Sequence, residues 1–235
     1  MELDYLNRHV VVTGGTGALG AAVVELLVNA GATVHVPGHR APDPAVFSLV
    51  RHERVKIVAP VDLGDEEQVQ SFYRSIPPLW ASVHAAGGFT AAPITETSLA
   101  AFRQMIDTNV VTSFLCCREA VRSIRSAVGA PGGRIVNLAA RTALVPSAGL
   151  AAYAASKAAV ASLTLSLSEE LAAEQIWVNA VLPSIMDTPL NRAAMPKADF
   201  SKWPKVGEVA ATIAFLASPQ NAVTRGALVP AYGQS

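Results

Sequence analysis

Short apolar, β-branched runs alternate along this chain with longer stretches whose apolar positions recur at helical spacing. His9-Val10-Val11-Val12-Thr13 predicts a strand buried on both faces, and the amphipathic segment Ala18 to Ala30 predicts the helix after it. Thr33–Val36, Val55–Val61, Ala81–Ala85, Arg134–Leu138, Ile176–Val181 and Ala227–Pro230 predict further strands. Long helices are expected over roughly 98–125, 151–174 and 206–217. Strands alternating with helices imply right-handed crossovers and a parallel sheet covered on both faces. The fold class is therefore α/β, a Rossmann-type doubly wound parallel sheet of about seven strands. Ligands of such sheets bind beyond the carboxyl ends of the strands. Residues 184–205, interrupted by Pro189, Pro196 and Pro204, predict a loop or short helices, placed where this fold carries a substrate lid.

Candidate chemistry falls at those strand ends. Gly15-x-Gly17-x-x-Gly20 follows the first strand and opens the first helix. Gly15 is expected to permit the tight turn, Gly17 the approach of a pyrophosphate and Gly20 helix-on-strand packing. Gly14, Gly15, Thr16, Gly17 and Leu19 are the dinucleotide contacts this predicts. The second strand ends in Pro37-Gly38-His39-Arg40, with no acid before Asp43. An NAD site usually places a carboxylate there for the ribose hydroxyls. Its lack, with His39 and Arg40 able to pair with a 2′-phosphate, favours NADP(H) over NAD(H). Tyr153 and Lys157 stand four residues apart on a predicted helix and project from one face. An ammonium beside a phenol favours the phenolate, turning an acid of pKa about 10 into a usable proton donor or acceptor. Together the two motifs point to movement of a hydride and a proton.

Composition narrows the partners. The 235 residues, 51% of them hydrophobic, fit one domain over 1–235. Lys plus Arg and Asp plus Glu number 18 each, so no net field favours nucleic acid or an anionic membrane, and the Arg51, Arg54, Lys56 cluster is small. Cys116 and Cys117 are adjacent and without a spaced ligand set, so neither a mutual disulfide nor a metal site is expected. The acidic start Met1-Glu2-Leu3-Asp4 lacks a signal pattern and no apolar run is long enough to span a bilayer, which makes the cytoplasm the default expectation.

These residues resemble the short-chain dehydrogenase/reductase family along essentially the whole chain. The glycine loop matches, as do Asp62-Leu63, where the family contacts adenine, and Asn109, where it holds a water in a proton relay. His84-Ala85-Ala86-Gly87 is similar to the family's Asn-Asn-Ala-Gly with both Asn residues replaced, leaving Ala86 and Gly87 as implied cofactor contacts. Tyr153 and Lys157 match its catalytic pair, and Val178 to Pro183 its sixth strand, with Ser184 where Gly is usual. The resemblance then places Pro183, Ile185 and Thr188 near the nicotinamide and phosphates. It implies a small-molecule substrate and a homodimer or homotetramer built through 98–125 and 151–174.

One departure stands out. The family's Ser, thirteen residues before the Tyr, is Ala140 here. Losing such a donor costs roughly 2.7–4 kcal/mol in the transition state. Thr142 and Ser147 are candidate substitutes. A narrower resemblance, carried by Gly87-Gly88-Phe89, Ala140 and the run 187–203, is to dihydropteridine reductase, which implies a quinonoid, electron-poor acceptor. Ala140, Arg141, Asn191 and Trp203 are the substrate-side residues this suggests, with Trp203 either closing over a flat ring or anchoring the lid, and Asn191 and Arg192 either bonding polar ring atoms or serving the surface or a lid hinge. The expected function is NAD(P)H-dependent reduction of a conjugated cyclic acceptor. The alternatives are a general carbonyl reductase or alcohol dehydrogenase with another hydroxyl donor, and a weakened nucleotide-binding or structural protein.

Overall fold

The computed structural model describes residues 3–127 and 132–235. Its strands are His9–Thr13 (β1), Thr33–Pro37 (β2), Val55–Val58 (β3), Ala81–His84 (β4), Gly133–Leu138 (β5), Ile176–Pro183 (β6) and Leu228–Ala231 (β7). They form one sheet in the order β3-β2-β1-β4-β5-β6-β7, and every neighbouring pair is parallel. The chain runs outward from β1 through β2 to β3, then crosses to β4 on the other side of β1. That reversal opens a crevice at the carboxyl ends of β1 and β4. Register aligns Thr13, His84, Asn137, Ala180 and Leu228 in one row across the sheet, just below the crevice.

The period of a strand builds two cores. Val10 and Val12 face one layer, where Val23, Val24 and Leu27 of helix α1 (Ala18–Asn29) meet Val209, Ile213 and Ala214 of α7 (Val206–Leu216). Val11 faces the other, with Phe72 and Tyr73 of α2 (Glu66–Arg74) and Leu115, Cys116 and Ile124 of α4 (Thr112–Arg125). Both cysteines are buried free thiols whose burial pushes them well above the ordinary thiol range, so they pack as apolar residues.

Three elements differ from the sequence expectation. The third strand stops at Val58, because Pro60 has no N–H to offer a ladder. Helix α2 was not foreseen; Asp65 caps it, accepting from the Gln68 N–H at 3.0 Å, with Glu66 and Glu67 in the first turn. The expected 98–125 helix is three pieces: α3 (Leu99–Met105), a π-helical turn over Ile106–Val111, and α4. Helix α5 spans Ala151–Glu170 and is followed by a 3₁₀ turn at Ala172–Glu174. The 184–205 segment holds a short helix α6 (Pro189–Ala194) and a 3₁₀ turn at Phe200–Lys202. Among the described residues no helix is long and apolar enough to cross a membrane.

Candidate active site

The glycine loop is shaped by close approach. Gly14 has φ +65°, and a Cβ there would lie 2.7 Å from the Ala86 nitrogen across the crevice. The left-handed turn is therefore at Gly14, not at Gly15 as the spacing suggested; Gly15 is needed because a Cβ would lie 2.9 Å from Val36 Cγ1. A Cβ on Gly20 would meet the Gly14 carbonyl oxygen at 2.1 Å, so helix and loop pack backbone to backbone. Gly17 differs from these: its Cβ would meet only the Gly14 oxygen, at 3.3 Å. Gly17 caps α1 without a side-chain hydrogen bond, and the first turn has no acid. Free N–H groups, a positive dipole end and a bare glycine surface are what a pyrophosphate requires. The fit is good.

Across the crevice, Thr13 Oγ1 accepts from the Ala86 N–H at 3.2 Å, pinning the loop after β4 to the end of β1. Gly87 then passes over two buried groups. A Cβ there would lie 2.6 Å from Asn109 Oδ1 and 3.3 Å from Lys157 Nζ. The Asn109 amide grips the next residue twice, accepting from Gly88 N–H at 3.0 Å and donating to Gly88 O at 3.1 Å. It also donates to Ser156 Oγ at 3.1 Å, and Ser156 in turn donates to the Tyr153 carbonyl at 2.7 Å. The π-helical turn places Asn109 in this position, as such insertions often do at functional sites.

Lys157 Nζ donates to the Leu138 carbonyl at the end of β5 (2.9 Å) and lies 5.9 Å from the centroid of the Tyr153 ring. Burial pushes Lys157 down to about 8 and Tyr153 up to about 12. This corrects the expectation that Lys157 lowers the phenol: within this chain, desolvation outweighs a partner at that distance. Phe89 meets the Tyr153 ring edge to face, with centroids 4.9 Å apart.

The remaining predicted residues divide. His39 and Arg40 are exposed beyond β2, and Asp43 accepts from Ala45 N–H at 2.8 Å within its own turn. Asp62 accepts from Gly64 N–H at 2.8 Å, with Leu63 buried beside it. Pro183 ends β6, Ile185 is half exposed, and Thr188 caps α6, accepting from Asn191 N–H at 3.2 Å. Ala140 is buried before the 3₁₀ turn Arg141–Ala143. The Thr142 hydroxyl in that turn is buried and has no hydrogen-bond partner, whereas Ser147 is exposed.

Three substrate-side candidates are engaged elsewhere. Arg141 is exposed and stacks on Tyr232, 5.6 Å from its centroid, instead of converging on Tyr153. Asn191 donates to Met186 O at 2.8 Å, and Trp203 is buried against Phe200 (4.9 Å), so both hold the lid together. Arg192 does likewise, with two hydrogen bonds to Asp187 (2.6 and 2.8 Å). Polar lid residues spend themselves locally because the segment has little other structure to fix it.

Beneath the site runs a buried polar chain that the sequence did not announce. His84 Nδ1 lies 2.8 Å from Asn137 Oδ1, and His84 Nε2 lies 2.8 Å from Ser82 Oγ, itself 3.0 Å from the Tyr73 hydroxyl. Asn137 donates to Thr164 Oγ1 (2.9 Å), which donates to Val160 O (2.8 Å). That direction leaves Asn137 Oδ1 as acceptor, so the imidazole carries its proton on Nδ1 and accepts at Nε2. Burial holds His84 down to about 4. Among the described residues no group of three or more His, Cys, Asp or Glu side chains is arranged to hold a metal.

Known proteins are similar to this chain. The chain is 36% identical over 190 residues to the uncharacterized oxidoreductase YgfF of Escherichia coli K12, covering 77% of each. It is 32% identical over 245 aligned positions to the cis-4-hydroxycyclohexanecarboxylate dehydrogenase of Sinomonas cyclohexanicum, covering 97% of this chain and 96% of that one. The solved structure of ElxO with NADP bound superposes with a TM-score of 0.85 at 27% identity, covering 96% and 97% of the two chains. A family model for short chain dehydrogenase matches residues 8–199, and the chain belongs to the short-chain dehydrogenase/reductase family of oxidoreductases.

Proposed function

We propose that this protein transfers hydride from NADPH to a conjugated cyclic acceptor, a quinonoid dihydropteridine or a ring of like electronics, with Tyr153 supplying the proton. The observation that carries the reading is the convergence of buried Lys157 and Asn109 on Gly87, opposite the bare Gly14–Gly17 cradle. The nicotinamide, when bound, supplies the hydride. Gly14, Gly15, Thr16, Gly17 and Leu19 would hold the pyrophosphate, Asp62 and Leu63 the adenine, and Ala86, Gly87, Pro183, Ile185 and Thr188 the nicotinamide side. His39 and Arg40, with no carboxylate on their turn, suit a 2′-phosphate, and ElxO, a relative of 27% identity, has NADP bound.

Each residue of the chain then has a task. Lys157, fixed through the Leu138 carbonyl, orients the ribose and sets a positive charge below Tyr153. We assign Asn109 to positioning: its amide is committed to Gly88 and Ser156, locking the loop after β4 to the helix that bears Tyr153. Ala140 offers no hydroxyl to a developing oxyanion, which suits an acceptor that spreads charge over its own ring. A second reading, a general carbonyl reductase, is favoured by the buried, unpartnered Thr142 hydroxyl two residues on.

Steady-state oxidation of NADPH with quinonoid dihydropterin, a quinone and a simple ketone tests these readings. Tyr153→Phe should abolish most turnover while leaving cofactor affinity nearly intact; unchanged turnover would refute the proton assignment. Efficient reduction of the ketone alone, lost in Thr142→Val, would establish the second reading instead.

A further inference from the structure

Phe89 is a large aromatic side chain left 65% exposed directly beside Tyr153. An isolated exposed apolar residue needs no explanation. Phe89 is not isolated, and the loop that carries it is fixed from both sides. Upstream, Asn109 holds both backbone groups of Gly88, and a Cβ at Gly88 would press on Thr108 Cγ2 at 3.1 Å and Met105 Cε at 3.3 Å. Downstream, the Ala92 N–H donates to Gly149 O at 2.9 Å, joining this loop to the one that precedes α5. The ring planes of Phe89 and Tyr153 are inclined at 74°. An aromatic ring is thus held in a set orientation next to the proton donor with most of its surface free.

The surroundings match it in chemistry. Ile94 on the same loop is 72% exposed, and Leu144, on the neighbouring loop after β5, is 49% exposed. Between residues 85 and 98 the only charged side chain is Glu96, and between 139 and 150 it is Arg141, which stacks on Tyr232. Neither is paired with Tyr153, whose ring meets Phe89 and the Lys157 ammonium.

We infer that Phe89 is the specificity-determining residue of this site, a stacking platform that selects an uncharged planar ring over an acyclic or anionic carbonyl. Aromatic pairs prefer offset or edge contacts, and the tilt of Phe89 presents such a surface to a ring lying over the Tyr153 hydroxyl. Apolar area removed from water on Phe89 supplies the affinity, and the fixed loop keeps the ordering cost low. The inference rests on the reading of Tyr153 as proton donor, and its test separates the two.

Wild type, Phe89→Ala and Phe89→Tyr are compared with NADPH and three probes: 9,10-phenanthrenequinone, 2-butanone and pyruvate. In Phe89→Ala the kcat/KM ratio of phenanthrenequinone to 2-butanone should fall about tenfold, mostly through KM, the upper end for loss of one aromatic pair. Phe89→Tyr should restore it. Calorimetric binding of phenanthrenequinone to the enzyme–NADP⁺ complex gives the same comparison without turnover, and melting temperatures confirm that the exposed site tolerates the changes. An unchanged ratio and an unchanged affinity in Phe89→Ala would overturn the platform, as would wild-type preference for pyruvate. Full turnover in Tyr153→Phe, alongside a loss of ring affinity in Phe89→Ala, would refute the proton assignment and leave the platform standing.

Discussion

Acidification offers a direct test of the buried chain beneath the site. His84 is fully enclosed, and burial holds its ring neutral against the Asn137 hydrogen bond, which favours the charged form: Asn137 Oδ1 accepts from Nδ1, and Ser82 donates to Nε2. Its folded pKa, about 4, lies below the ordinary 6.5 of an unfolded chain. The depressed value fixes the sign. Above pH 6.5 neither state binds the proton and the contribution is intact; as pH falls toward 4 the unfolded state binds it alone, and stability is lost. Integrated over that window, the loss is about 3 kcal/mol by pH 4, a large share of a typical domain's 5–15 kcal/mol. His35 is also held near 4, by burial and the adjacent His9 and Lys56, so wild type alone cannot isolate the effect. Urea unfolding of wild type and His84→Gln at pH 7 and pH 4 does so by difference. Wild type should lose about 3 kcal/mol more than the variant. Equal losses, or an NMR titration of the native His84 ring near 6.5, would refute the assignment of a neutral, Nδ1-protonated imidazole.

Three further substitutions probe the site. Gly38→Asp has room, since its Cβ would meet only the Arg40 carbonyl at 3.4 Å, and it should swing cofactor affinity toward NADH by about tenfold or more; wild type binding NADH tenfold more tightly than NADPH would sink the cofactor reading. Gly87→Ala drives a methyl into Asn109 Oδ1, so unfolding assays should show a loss of about 1–3 kcal/mol, with turnover falling as the Gly88 clamp opens; a silent variant would mean the clamp is dispensable. Ala140→Ser should raise ketone reduction by up to about 10²-fold while barely changing the quinonoid substrate, and a reversed pattern in kcat/KM would contradict the electron-poor acceptor.

Much of the fold could be read because its signals are periodic. The strand core at Val10–Val12 is apolar throughout, as two-sided burial demands, and β6 follows it from Val178 to Val181 with Asn179 as its one polar position. Helix α2 was hidden by its polar composition, although Asp65 and Gln68 carried a cap signal that a search for apolar runs passes over. The π turn at 106–111 was illegible for a different reason: it shifts the apolar register by a single residue, which a few helical turns of mixed composition do not reveal, yet it brings Asn109 to Gly88 and Ser156. Two adjacent glycines, Gly14 and Gly15, gave no means of telling which takes the left-handed conformation. Asn191 and Trp203 looked available because residue type shows capacity, while their partners Met186 and Phe200 lie within the lid itself.

The Tyr153–Lys157 spacing located the pair but not its protonation, because spacing carries no information about burial. Desolvation moves both groups toward their neutral forms, Tyr153 to about 12 and Lys157 to about 8. At pH 7 the tyrosine is then almost wholly phenol and the lysine still mostly ammonium. On the proposed reading the phenol gives its proton during reduction, and burial makes that transfer harder, so the acceptor must become strongly basic as the hydride arrives. On that reading, reduction agrees with the exposed turn after β2, where His39 and Arg40 suit a phosphorylated cofactor. In the oxidising direction the chain would need a stronger positive field at the phenol than Lys157 provides from 5.9 Å, so a base-driven rise of activity well above pH 8, where the ammonium itself is lost, is not expected. The same burial that holds Tyr153 as a phenol therefore weakens it as an acid, so on the proposed reading the charge developing on the acceptor must draw the proton out.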